Sequence, residues 1–176
     1  MALPLVPVGK RKASALWIVG NGDCGQMGHG EDELEFERPR KFQFFAAKNV
    51  VHLACGGMHT VAVGESGQVW TWGCNDDSAL GRDGAEDIPI LVSAAEFAKD
   101  RIVSASAGDS HTIALSDSGR VWSWGTYKDS SGTLGFTRDV VTAEEPVLLA
   151  DLPVVSSICS GSNHSMAVTV DKELFT

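Results

Sequence analysis

The chain has 176 residues, 43% hydrophobic and 21% charged, enough for a sizeable buried core. It contains no run of about 18 apolar residues that could span a membrane, and no N-terminal apolar segment leading to a small-residue cleavage site. A net charge of −9 disfavours direct duplex binding by the body of the chain and suits a basic protein partner instead.

Residues 1–14 read as a flexible leader whose charge cluster is Lys10, Arg11 and Lys12. That cluster fits a nuclear localisation signal or chromatin-contacting tail, and equally a solubilising leader. Two short strands near Leu16–Gly20 and Lys41–Phe45 then read as the third and fourth strands of one unit. From Val50 a fuller pattern begins, with strand Val50–Cys55, a Gly turn, strand His59–Val63 and the tight turn Glu65-Ser66-Gly67. In that turn glycine supplies the positive φ a hairpin requires. The strand around Val69-Trp70-Thr71-Trp72 follows, then a longer loop and a weaker strand near Ile90–Val92. The same succession returns as Ile102–Ala107, His111–Leu115, the turn Asp117-Ser118-Gly119, Val121-Trp122-Ser123-Trp124 and a strand near Pro146–Leu149. A third round starts at Val154–Ser160 and His164–Val168 and reaches Glu173–Thr176 partway into its third strand.

Two landmarks share one period. Trp17, Trp70, Trp122 and Phe175 stand 53, 52 and 53 residues apart, and His59, His111 and His164 stand 52 and 53 apart. Four antiparallel strands in about fifty residues make a propeller blade. The predicted fold is therefore all-β, a partial β-propeller of two full blades with half-blades at each end. A closed ring needs at least four blades, so the chain is expected to be a piece of a larger ring, with open edges that invite self-association.

The histidines, one per blade, read as servants of the repeat rather than a metal or catalytic cluster, and no metal or cofactor is expected. The tryptophan stripe reads as inter-blade core rather than as a base-stacking platform. Cys24, Cys55, Cys74 and Cys159 show neither disulfide-framework nor CxxC spacing, which fits a reducing compartment. Asp76 and Asp77 read as ordinary turn residues.

Gly22-Asp23-Cys24-Gly25-Gln26-Met27-Gly28-His29-Gly30 and Gly73-Cys74-Asn75-Asp76-Asp77-Ser78-Ala79-Leu80-Gly81 resemble the repeat signature of the regulator-of-chromosome-condensation family. That resemblance covers roughly residues 15–176 and implies a seven-bladed parent. Within the family, Gly108-Asp109-Ser110-His111-Thr112 and Tyr127-Lys128-Asp129-Ser130-Ser131-Gly132 resemble segments of the nuclear exchange factor for the small GTPase Ran. The second matches a β-wedge driven against the GTPase's nucleotide site, with Lys128 replacing an Arg and Ser130 and Ser131 replacing two Asn. The resemblance implies Asp109 as an acidic contact and Asp23, His59, His111 and His164 as further positions on the GTPase-binding face. Asn163 stands where the exchange factors carry an Asp important for exchange; an amide keeps the shape and loses the charge. A nuclear, chromatin-associated exchange factor without bond chemistry is the function implied, with histones, nucleosomes or DNA as partners of the tail. A propeller scaffold, or the propeller domain of a larger protein such as a ubiquitin ligase, is the alternative.

Overall fold

The computed structural model describes residues 15–129, 131–133, 135 and 140–176. Strands β1 (Trp17–Asn21) and β2 (Glu35–Lys41) form an antiparallel pair. The first full blade is β3 (Val50–Cys55), β4 (His59–Gly64), β5 (Val69–Gly73) and β6 (Ile90–Leu91), hydrogen-bonded in that order. The second is β7 (Ile102–Ala107), β8 (His111–Ser116), β9 (Val121–Gly125) and β12 (Ala143–Leu148), again in order. A two-stranded hairpin of its own, β10 (Lys128–Asp129) and β11 (Gly132–Thr133), interrupts it between third and fourth strands. Strands β13 (Val155–Ser160), β14 (Ser165–Thr169) and β15 (Leu174–Phe175) form a three-stranded sheet.

Period-2 alternation explains the stacking. In β4, β5, β8 and β9 every residue is buried, because both faces of a blade meet neighbours. The buried apolar residues separate into three clusters, one per blade interface. Phe42, Phe45, Ala62, Trp70 and Trp72 fill the first. Val61, Val63, Val69, Phe97, Ile102, Trp122 and Trp124 fill the second, and Leu115, Val121, Val155 and Ala167 the third.

Trp70, Trp72, Trp122 and Trp124 are core, as their alternation indicated. Trp72 Nε1 donates to Gln26 O (2.7 Å) and Trp124 Nε1 to Ala79 O (2.8 Å), so each indole is tied to the 3–4 loop of the blade before it. This explains the signature glycines. Gly28 and Gly81 follow those acceptors by two residues, at φ +67° and +63°, and a Cβ there would lie 2.8 Å from Trp72 Nε1 and 2.7 Å from Trp124 Cδ1. Both the left-handed backbone and the pressed ring require glycine.

One strand lies elsewhere than the sequence indicated. The partner of β1 is Glu35–Lys41, whereas Gln43–Phe45 is a 3-10 turn. Seven residues with only Phe36 buried carry no apolar alternation, as befits an edge strand. The aromatic run after it serves the neighbouring blade: the Phe45 ring packs edge-on against Trp70 at 5.6 Å. One period later Phe97, in the 3-10 turn Phe97–Lys99, packs edge-on on Trp122 at 5.5 Å.

Candidate functional site

Antiparallel order places the 1–2 turns and the 3–4 loops of all blades at one end of the sheets. Asp23, Asp109, Asn163 and the β10–β11 hairpin therefore share one face. The 1–2 turns are strung together by backbone hydrogen bonds: Gly57 N donates to Gly108 O (3.1 Å) and Asp109 N to Ser162 O (2.9 Å). Three glycines stand at the same place in these turns. At Gly108 a Cβ would fall 2.1 Å from His111 Cε1, so the histidine ring lies directly over the turn.

His59 and His111 are 1% and 0% exposed, a correction to their placement on a partner-binding face. Each reaches across to the next blade instead, His59 Nε2 to Thr112 Oγ1 (2.8 Å) and His111 Nε2 to Ser165 Oγ (2.9 Å). Thr112 already donates its hydroxyl proton to Ala79 O (2.9 Å), so His59 Nε2 must be the N–H donor. His59 Nδ1 and His111 Nδ1 are buried without a hydrogen-bond partner. Burial first, and then the charge of His111, lowers the His59 pKa to about 4. Burial likewise lowers His111 to about 4, with Asp109 opposing and His164 assisting. The His164 ring folds over Gly161 in the same way, a Cβ there lying 2.3 Å from its Cε1, and it is exposed on the last sheet of the chain, where the stack is open.

Asp109 and Asp23 are exposed and Asn163 is half-buried. The hairpin rises beside the Asp109 turn, with Lys128 opposite Thr133 and Asp129 opposite Gly132. Gly132 sits at φ +128° in open space, and Ser131 is exposed beside it. At the hairpin's base the Tyr127 ring stacks on His111, centroids 4.1 Å apart and 28° between planes. Its hydroxyl donates to Ser165 Oγ at 3.2 Å. Lys128 Nζ lies 2.5 Å from Asp77 Oδ1, and Asp77 Oδ2 accepts from Ser110 Oγ at 2.7 Å. Asp77 thus does more than turn the chain, which its sequence context did not reveal. Ser130 and the leader residues Lys10, Arg11 and Lys12 lie outside the described residues. Among the described residues no three His, Cys, Asp or Glu side chains gather to hold a metal ion, and all four cysteines are free.

Residues 15–176 match the RCC1-like domain. The chain belongs to that family. The human protein named Regulator of chromosome condensation is 40% identical over 159 residues, which are 90% of this chain and 37% of that protein. Its Xenopus laevis counterpart is 38% identical over 99% of this chain and 41% of its own length. Human E3 ubiquitin-protein ligase HERC2 is 36% identical over 89% of the chain and 3% of its own length. In structure, Prp20p of Saccharomyces cerevisiae, described with its binding properties to Gsp1p and histones, superposes with a TM-score of 0.85 and 29% identity. That match covers 92% of this chain and 40% of Prp20p. The chain thus spans about two fifths of the length of the regulator relatives. Within this RCC1-like chain, the departures from its own repeat concentrate at the second blade. Asp109 stands where the neighbouring turns carry Gly57 and Ser162, and the hairpin stands where the preceding loop has none.

Proposed function

We propose that this chain supplies part of the face with which a nuclear guanine nucleotide exchange factor engages the small GTPase Ran. The observation carrying this reading is the β10–β11 hairpin standing beside an exposed carboxylate, Asp109, on the loop face of the propeller. A GTPase holds phosphate with backbone N–H groups, a lysine and Mg²⁺. A carboxylate at Asp109 competes with phosphate for the lysine, and the hairpin, with Ser131 and Gly132 at its exposed end, displaces the loops that cage the nucleotide. Tighter binding of the nucleotide-free state weakens nucleotide affinity by the same factor. Asp23 extends the same face. Asn163 contributes an amide where a charge would act more strongly, leaving Asp109 as the main acidic contact.

The Lys10-Arg11-Lys12 leader serves nuclear import and contacts histones or DNA, placing the exchange factor on chromatin; the relatives' name and the binding of Prp20p to histones support this. Taken alone, the chain self-associates through its open strand edges, where Trp17 is 59% and Leu174 61% exposed. Light scattering is expected to show species larger than a monomer; a clean monomer across concentrations would refute that association.

Release of labelled GDP from Ran tests the main reading. The full-length protein is expected to accelerate release, and Asp109→Ala to reduce that acceleration about 10- to 100-fold. Deletion of residues 127–132 is expected to reduce it at least as far. A full-length protein that leaves release at its spontaneous rate refutes the reading. That result favours a non-catalytic propeller scaffold, a use supported by Asn163 and by the similarity to a HERC2 segment.

A further inference from the structure

The 3–4 loops of the two full blades can be aligned residue by residue from Gly73 and from Gly125. In the first loop Asn75 is an internal brace: its Oδ1 accepts from Leu80 N (3.0 Å) and its Nδ2 donates to Arg82 O (3.1 Å). In the second, Tyr127 stands at that place, and a hairpin with two residues in each strand follows. So short a hairpin does not hold its shape alone in water. Gly135 N to Tyr127 O (3.3 Å) and Thr126 Oγ1 to Val141 O (2.7 Å) brace the loop from within, and two contacts tie the hairpin to the rest of the protein. Tyr127 stacks on His111, and Lys128 pairs with Asp77, which belongs to the 3–4 loop of the preceding blade.

Asp77 is bonded twice. One carboxylate oxygen meets Lys128 of the hairpin at 2.5 Å, and the other takes the Ser110 hydroxyl at 2.7 Å. Ser110 follows Asp109 directly, and its carbonyl accepts from Thr126 N (2.9 Å) at the root of the hairpin. One side chain therefore links the acidic turn to the hairpin. Burial pushes the Asp77 carboxyl upward, but hydrogen bonds from Lys128 and Ser110 and the Lys128 charge outweigh it and keep the group ionised.

The repeat itself does not require this link. One period earlier Cys24 occupies the place of Asp77, Met58 that of Ser110 and Asp76 that of Lys128. Of the two interfaces for which the chain holds all three positions, acid, hydroxyl and base coincide at the one where the hairpin is inserted. General blade packing accounts for the recurring His, Trp and Gly residues, and this trio stands apart from them.

We propose that Asp77 is a positioning residue for the hairpin, fixing its posture relative to Asp109 before the GTPase arrives. The inference rests on the exchange reading above for its functional consequence, though not for the anchoring itself. A hairpin held in its docking posture spares the ordering cost at association. Asp77 therefore acts on the GTPase concentration needed for half-maximal exchange more than on the maximal rate.

Amide hydrogen exchange on the full-length protein tests the anchoring without any GTPase. Asp77→Asn is expected to speed exchange at Lys128, Asp129, Gly132 and Thr133 about tenfold or more, the effect of losing a hydrogen-bonded charge partner. The amides of β8 and β9 are expected to keep their protection, which separates lost posture from lost folding. Exchanging the two charges, Asp77→Lys with Lys128→Asp, is expected to restore protection. In the GDP-release assay Asp77→Asn is expected to raise KM for Ran about tenfold with kcat nearly unchanged, matching the protection lost. Unchanged protection in the Asp77→Asn protein overturns the proposal. So does lost protection with KM unaltered, because the posture would then be irrelevant to docking. If wild-type protein fails to exchange nucleotide while the protection effect stands, the anchoring holds and the exchange reading is what has failed.

Discussion

Replacing Trp124 by alanine is expected to destabilise the protein by about 3–5 kcal/mol, the range for emptying a buried aromatic site. Trp124 is 0% exposed, receives Phe97 at 5.6 Å and lies against Gly81 across the blade interface. Its neighbours are strands whose residues are all buried, so they have little freedom to collapse into the void. The indole N–H also satisfies Ala79 O, which keeps a second donor in Thr112 Oγ1. Trp124→Phe should therefore cost less, about 1–2 kcal/mol, combining a smaller cavity with one lost hydrogen bond. Blades touch only their neighbours, so a weakened interface transmits its loss to both sides of the stack. Denaturant titration of the two variants beside wild type measures the difference. An alanine protein within about 1 kcal/mol of wild type would mean that the interface is not close-packed there.

Most of the blade architecture was legible because a repeat states each constraint several times. Gly81 and Gly28 stand before different tryptophans for the same reason, and one period of spacing exposes both. What escaped was whatever depends on a single contact. Strand β2 escaped because Glu35, Glu37, Arg38 and Lys41 face solvent along an edge, leaving Phe36 as its only buried residue. Phe45 and Phe97 share the period, but their 3-10 turns lie in connections, where periodicity of strand type gives no signal. Asp77 escaped for a different reason. Its partners Ser110 and Lys128 belong to the next blade, and its own segment reads as a polar turn. The histidines were read correctly as part of the repeat and yet too generously as surface. Their burial follows from the ring folding over the preceding glycine, which only the Gly108–His111 geometry reveals.

These contrasts separate scaffold from site. Residues that recur, such as His59 with His111 or Trp72 with Trp124, bond to the adjoining blade and are consumed by packing. Residues that break the repeat build the loop face, Asp109 as an exposed carboxylate and Tyr127 as the hairpin's seat on His111. Asp109 replaces a glycine and a serine, and Tyr127 replaces a loop-bracing asparagine. A propeller can change its partner by altering such positions while its interfaces stay fixed.

Acid should find the recurring histidines first. His59 and His111 hold folded-state pKa values of about 4 against an ordinary 6.5. The unfolded chain therefore binds protons that the folded one refuses, and stability falls as pH drops from 6.5 toward 4, then levels with respect to these groups. Above 6.5 both rings are neutral in both states and contribute no slope. The physical obstacle is visible in each ring: Nδ1 is buried with no acceptor, so the proton that makes the cation has nothing to donate to. At 1.36 kcal/mol per pKa unit the full effect is about 3 kcal/mol for each histidine. Thermal melts from pH 7.5 to 4 are expected to show a steep loss that His59→Gln and His111→Gln each flatten. Glutamine keeps a donor for the neighbouring hydroxyl and cannot take up the proton, so its own cost should be independent of pH. A double variant whose stability falls as steeply as wild type over the same window would locate acid sensitivity elsewhere, in the carboxylates of the loop face.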